Sequence, residues 1–394
     1  MKNKMEFPFN NIVGADEERK KELKENWHQE IEELSKKNES GFAEFKQQLT
    51  AEQREDIGRI EGYVNEIAHR YGAEEKLAPE VILFKPGGVN KATKGRFDDG
   101  ACSQYRRRII IDSHPSRVFF ATTLAHEMFH LAGYTSLRFS KEKNDMDLYR
   151  TGMALESKDG TTSYFKDVEE ALIAQAVSML YDEYLRKDPR FADEIAKTDF
   201  IKGWFRKLFE TDGGISEKQK EFLDNTHSFP DVNSLIENLN GDESEDYKLG
   251  FLSGYVEEML KKGDVVFRER FQERKKFDFL VDSILENSAG EYADRQKITE
   301  LFMRAHFSGR LLPLARVIEK SLGKGSFRKV AEDFAEYWDF EKENEAATFK
   351  SFNEQDMGEL LAKRKAEAEE LEKRQKEKME MLEKAEKDGK LFVK

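Results

Sequence analysis

The chain has 394 residues, which is enough for two or three domains with a sizeable core, and its formal net charge is −13. This acidic balance argues against nucleic-acid binding, because the phosphate backbone favours clustered positive charge. The single cysteine, Cys102, allows neither an intramolecular disulfide nor a thiolate cluster, so any metal must be held by histidine and carboxylate.

The apolar residues of the chain are spread without a long uninterrupted run. Residues 1–21 lack the apolar stretch of a secretory signal, and no window approaches the roughly eighteen apolar residues of a membrane span. We therefore expect a soluble, cytoplasmic protein with neither a membrane nor a nucleic acid among its partners.

The first third of the sequence predicts two helices, two strands and a third helix, in that order. Residues 16–38 and 50–72 are rich in helix formers, with Glu and Lys at helical spacings. Two β-branched runs, 79–88 and 104–115, predict strands joined by a polar loop that contains glycine. The helix that follows covers residues 116–133.

The rest of the sequence predicts one hairpin and then helices. Residues 148–165 hold two short runs around Asp159-Gly160, which is a standard hairpin signal. Helices follow at 167–187, at 191–210 and beyond. The last segment is a long charged helix whose heptad seam is interrupted by polar residues, which favours a solvated helix over a coiled coil. Its remaining apolar positions are where a protein partner could dock.

The sequence His126-Glu127-x-x-His130 lies in the middle of the third predicted helix. Residues four apart lie on one face of a helix, so the two imidazoles can reach one ion, as a tetrahedral Zn²⁺ site needs. Glu127 lies close enough to take a proton from a water whose pKa zinc lowers toward roughly 7. The surrounding residues are apolar, and a bound metal would offset the cost of burying these groups.

The stretch TLAHEMFHLA, residues 123–132, resembles the active-site helix of zincin metallopeptidases. The resemblance covers roughly residues 79–185. It implies a compact core in which a small sheet lies beside the active-site helix and a second helix carries a glutamate ligand. It also implies that the strand RRRIIID, residues 106–112, is the edge strand along which a substrate lies.

A zinc site needs a third protein ligand, and no histidine follows His130 before His227, which excludes the metzincin pattern. The gluzincin pattern places a glutamate on a later helix, and the resemblance of Glu170-Ala171 to that pattern favours Glu170. The apolar neighbours expected around Glu169 favour that residue instead. We take Glu170 as the ligand and Glu169 as the alternative.

Gluzincins also supply a side chain that stabilises the oxyanion of the reaction. The resemblance implies Tyr164, at the end of the hairpin, in this catalytic role. Tyr149, Arg150 and His114 are alternatives.

We therefore predict a predominantly helical α+β protein with a compact zincin-like core. The predicted regions are an N-terminal helical region (1–75), the metallopeptidase core (76–190), a helical domain (191–345) and the charged C-terminal helix (346–394). The predicted function is zinc-dependent hydrolysis of a peptide or protein substrate, with Glu127 as general base. The alternatives are a scaffold protein that retains a structural metal site, and a latent hydrolase whose cleft is covered by an N-terminal helix or the hairpin.

Overall fold

The computed structural model describes residues 8–27, 42–74, 76–97, 99–141, 145–211, 223, 226–227, 229, 232–241, 243–262 and 270–337. The predicted C-terminal helix and the end of the first predicted helix lie outside these residues. Among the helices that are described, none combines the length and the apolar character needed to cross a membrane.

The fold is α+β and predominantly helical, as predicted. The helices are α1 (residues 17–27), α2 (Ala51–Arg70), α3 (Gly88–Ala92), α4 (Arg117–Ala132), α5 (Lys166–Glu183), α6 (Ala192–Thr211), α7 (Val232–Asn240), α8 (Glu245–Lys262), α9 (Phe271–Asn287), α10 (Arg295–Ser308), α11 (Leu311–Leu322) and α12 (Ser326–Asp333). The strands are β1 (Asn11–Val13), β2 (Glu80–Phe84), β3 (Gly100–Ser103), β4 (Arg108–Asp112), β5 (Thr135–Ser140), β6 (Asp145–Thr151), β7 (Ala154–Glu156), β8 (Thr162–Tyr164) and β9 (Glu336–Tyr337).

The smaller sheet has the order β2-β4-β3, with β2 parallel and β3 antiparallel to β4. The prediction that RRRIIID forms the edge strand is therefore wrong, because β4 is the central strand and β2 and β3 are the edges. The isoleucines at 109–111 are all buried, as a strand covered on both faces requires. Arg108 pairs with Glu80 at 2.6 Å, and Arg106 lies in a 3₁₀ turn before the strand.

The larger sheet has the order β1-β5-β6-β7-β8-β9. The predicted hairpin is confirmed, since β7 and β8 pair antiparallel with Leu155 opposite Tyr164. The Asp159 carboxylate closes its turn by accepting a hydrogen bond from the Thr161 backbone N–H at 3.1 Å. Strands β1, β5, β6 and β9 were not predicted as separate strands.

Helix α4 lies at the centre of the largest hydrophobic cluster. The same cluster contains side chains from α2, α5, α9, α10 and the smaller sheet, among them Ile60, Ile111, Leu172, Leu280 and Phe302. A second cluster joins α6, α7 and α8. A helix that is covered on most sides must be apolar on most sides, which explains the apolar residues around the two histidines.

The start of α4 is held by contacts from three parts of the chain. The Ser116 hydroxyl accepts a hydrogen bond from the Phe119 backbone N–H at 2.9 Å, so Ser116 is the N-cap. The Glu194 carboxylate, from α6, accepts from the Arg117 backbone N–H at 2.7 Å and complements the helix dipole. The Arg117 guanidinium donates to Asp56 of α2 at 2.6 Å. These contacts fix the direction of the helix that carries the motif.

Candidate metal centre

The imidazoles of His126 and His130 and the carboxylate of Glu170 converge on one point. The two Nε2 atoms are 3.2 Å apart. Glu170 Oε2 lies 3.5 Å from His126 Nε2, and Glu170 Oε1 lies 3.7 Å from His130 Nε2. Ligands about 2.0–2.1 Å from a tetrahedral zinc ion are about 3.3 Å from one another. The separation of these three groups therefore fits a single zinc ion.

Helices α4 and α5 bring the three groups together. His126 and His130 are one turn apart on α4, and Glu170 lies in the first turns of α5. The His126 side chain is 20% exposed, against 11% for His130 and 6% for Glu170. The centre is therefore most open on the His126 side.

Glu169 lies on the other side of the His130 ring. Its Oε1 atom is 3.4 Å from His130 Nδ1, while its Oε2 atom accepts a hydrogen bond from the Met153 backbone N–H at 2.7 Å. A carboxylate at Nδ1 favours the tautomer with a proton there, which leaves the Nε2 lone pair available to a metal. The two adjacent glutamates thus occupy different positions: Glu170 faces the Nε2 atoms, and Glu169 lies at Nδ1 of His130.

The charges around the centre keep both carboxylates ionised. Burial would raise the pKa of Glu170, but the charges of Lys166 and His130 outweigh it and hold that pKa well below its usual range. Burial would lower the pKa of His130, but Glu170 and Glu169 together raise it to about 9. The two carboxylates therefore stabilise a positive charge at the His130 ring.

His306 supports Glu169 from a distant part of the chain. Its Nδ1 atom is 2.8 Å from Glu169 Oε2, and both side chains are 1% exposed. Two glycines make room for the ring. A Cβ atom at Gly133 would lie 3.0 Å from His306 Nε2, and one at Gly152 would overlap both His306 and Glu169. The local sequence is thus adapted to this buried histidine–carboxylate pair.

Arg150 holds α10, the helix that carries His306, in the position that the His306–Glu169 pair needs. Its guanidinium donates to the carbonyl oxygens of Gly152, Ala305 and Gly309, each at 2.7 Å. The Tyr134 backbone N–H also donates to the His306 carbonyl at 2.9 Å. Arg150 was an alternative for the oxyanion-stabilising residue, but its guanidinium is engaged with the backbone.

Glu127 lies between α4 and the edge strand β3. A Cβ atom at Gly100 would be 3.2 Å from Glu127 Cγ and 3.4 Å from its Oε1. Burial raises the pKa of the Cys102 thiol, and the nearby Glu127 carboxylate raises it further. The Glu127 carboxylate therefore lies next to the edge strand β3.

Tyr164 lies at the end of β8, opposite Leu155, and packs partly buried against the main core. The role of Tyr164 in stabilising the oxyanion stays a prediction.

His114 lies before the start of α4, where its Nδ1 accepts a hydrogen bond from the Ser116 backbone N–H at 3.0 Å. Ser116 is ten residues before His126, roughly 15 Å along the helix, so His114 is remote from the centre.

Comparison with known protein families finds no family that matches the chain. No curated protein and no solved structure matches it either.

Proposed function

We propose that the protein is a zinc-dependent metallopeptidase of gluzincin type. The observation that carries this proposal is the convergence of His126 Nε2, His130 Nε2 and the Glu170 carboxylate beside Glu127. Three protein ligands with an open fourth position are typical of catalytic rather than structural zinc sites. On this proposal, α4, α5 and the smaller sheet form a compact zincin-like core.

The residues of the centre have distinct roles in the proposed reaction. When bound, Zn²⁺ lowers the pKa of a coordinated water and polarises a carbonyl group. Glu127 accepts the proton of the water whose oxygen bonds to the carbonyl carbon. As the C–N bond breaks, that proton passes to the leaving nitrogen. Glu169 orients the His130 ring, and His306 holds Glu169.

The edge strand β3 is the proposed contact surface for the substrate. An extended peptide can add to the edge of a sheet through backbone hydrogen bonds. Because Glu127 lies against Gly100 of β3, a peptide paired there would pass beside the general base. The family resemblance implied this role for β4, which is the central strand of the sheet. We assign it to β3 instead.

The proposal predicts zinc-dependent cleavage of an unbiased peptide library, read out by mass spectrometry. We expect the zinc-loaded chain to cleave a subset of peptides, removal of zinc with a chelator to abolish cleavage, and zinc to restore it. Mg²⁺ is the control for restoration, because it prefers octahedral oxygen ligands over imidazole. Zinc binding without any cleavage would favour the scaffold function, and cleavage only after limited proteolysis would indicate a latent enzyme.

A further inference from the structure

Arg270 lies at the open side of the candidate centre. Its Nε atom is 3.1 Å from Glu170 Oε2, and its side chain is 39% exposed. It is the N-cap residue of α9, a helix that packs against α5. An arginine here reaches a glutamate of the centre from a separate helix while keeping part of its surface open to a ligand.

The backbone of Arg270 is in the left-handed region, with a φ of 52°. A residue with a side chain is disfavoured there, and such conformations are found often at functional sites. The position is held because the Arg274 backbone N–H donates to the Arg270 carbonyl at 2.8 Å. Glu273 Oε1 also lies 3.5 Å from Arg270 Nη1. The local structure thus holds the guanidinium near Glu170.

Lys166 also pairs with Glu170, but its surroundings differ from those of Arg270. Lys166 is one turn before Glu170 on α5, with Nζ 2.6 Å from Oε1, whereas Arg270 lies near Oε2. Glu336 is a charged neighbour of both cations, and Glu169 acts on Lys166. Among the charges that act on Arg270 is that of Glu127, the proposed general base. Lys166 therefore contacts the carboxylate from within its own helix. Arg270 instead contacts Oε2, the oxygen that faces His126, and His126 is the most exposed of the three candidate ligands.

We propose that Arg270 is a catalytic residue that stabilises the oxyanion formed from the scissile carbonyl. This inference rests on the proposed peptidase function. As the water oxygen bonds to the carbonyl carbon, the π pair of the C=O bond moves onto the carbonyl oxygen. Arg270 donates hydrogen bonds to that negative oxygen and remains protonated throughout. When the C–N bond breaks, the pair returns to the carbonyl and the nitrogen takes the proton held by Glu127.

The guanidinium has enough donors for this role. It carries five N–H donors in a planar fork, so contacts with Glu170 and Glu273 leave donors for a substrate oxygen. The family resemblance implied that Tyr164 stabilises the oxyanion. If Arg270 has this role, substitution of Arg270 impairs catalysis; if Tyr164 has it, substitution of Tyr164 does.

The test uses Arg270→Ala and Arg270→Gly in the zinc-loaded, full-length chain. The glycine variant removes the guanidinium without imposing a side chain on the left-handed backbone. The substrate is a quenched fluorescent form of the library peptide that the wild type cleaves fastest. We expect both variants to lose about 10²–10³ in kcat, as for removal of one oxyanion donor, with KM changed by no more than about threefold. Arg270→Lys should recover part of the rate, because it restores the charge but not the fork.

Arg295→Ala is the matched control. Arg295 pairs with Asp282 at 3.2 Å on the surface of α9 and α10, and its side chain is 48% exposed. Its removal deletes an arginine of similar exposure that does not contact Glu170, so we expect kcat to stay within about twofold, as for surface substitutions.

Two further measurements separate catalysis from a structural role. The affinity for a phosphonamidate peptide, which mimics the tetrahedral anion, should fall by the same factor as kcat/KM in each Arg270 variant. Zinc affinity, measured by competition with a chromogenic chelator, should stay within about threefold, because the three protein ligands are retained. An unchanged kcat, a rise in KM alone, or a parallel loss of zinc affinity would each overturn the inference. If the wild type cleaves no peptide even after limited proteolysis, the proposed function and this inference both fall. If the wild type cleaves and the Arg270 variants match it, only this inference falls.

Discussion

A Glu127→Gln variant is expected to keep its zinc and its fold and to lose about 10²–10⁴ in kcat, the usual contribution of a general base. The amide has the shape of the carboxylate, so it can keep the packing of Glu127 against Gly100 of β3. It cannot accept the proton of the attacking water. The measurement is kcat on the fluorescent library peptide, together with the zinc content of the same preparation.

The control for this variant is Glu332→Gln. Glu332 lies on α12 and pairs with Arg328 at 2.9 Å, and both side chains are exposed. The same chemical change at that position should leave kcat unchanged. A Glu127→Gln variant that is as active as the wild type would exclude Glu127 as the base. Loss of zinc together with activity would assign it a role in the metal site instead.

Glu170→Ala is expected to cause the largest loss of zinc affinity of any single change on α5. It reduces three protein ligands to two, and we expect the loss to exceed the 10–100-fold that is typical of groups that orient a ligand. Glu169→Gln should fall within that 10–100-fold range, because the amide weakens the support of His130 Nδ1 but leaves the ligands in place. Competition with a chromogenic chelator places both variants on one scale.

Glu183→Gln is the control for these two variants. Glu183 is the last residue of α5 and pairs with Arg70 at 2.7 Å, far along the helix from the centre. Its substitution should leave zinc affinity unchanged. If Glu169→Gln proved more damaging than Glu170→Ala, the ligand would be Glu169. If neither variant lost affinity, the third ligand would lie outside α5 and the gluzincin assignment would be wrong.

The helix that carries the motif could be predicted closely from the sequence. It was predicted over residues 116–133 and is observed as Arg117–Ala132. Its limits depend on local signals, namely a serine N-cap and a glycine at the C-cap. The spacing of His126 and His130 is also local, since it depends only on the helical repeat. The limits of a helix and the spacing of residues along it can therefore be predicted without knowledge of the rest of the fold.

The order of strands in the smaller sheet could not be predicted in the same way. Strand β4 has the stronger β-branched pattern, but β3, with the sequence Gly-Ala-Cys-Ser, forms the edge beside Glu127. Which strand lies at an edge depends on pairing between segments far apart in the chain. Edge position alone does not set the pattern, because β2 is the other edge strand and has the sequence Glu-Val-Ile-Leu-Phe.

The separate positions of Glu169 and Glu170 depend on where α4 lies relative to α5. Consecutive residues on a helix point about 100° apart, so one reaches the Nε2 atoms and the other reaches Nδ1 of His130. His306 is 137 residues after Glu169, and its sequence signal is only a histidine in an apolar part of a helix. Arg270 likewise has no local motif. The positions of His306 and Arg270 near the centre depend on packing between helices, which local sequence does not reveal.

The zinc content of the full-length chain tests the central claim most directly. Elemental analysis should find close to one zinc per chain, either after purification without chelator or after zinc addition and removal of the excess. A His126→Ala/His130→Ala variant should retain none under the same conditions, because it lacks both nitrogen ligands of the centre. No bound zinc in the wild type, or an equal amount in the double variant, would contradict the metal centre and the function proposed for it.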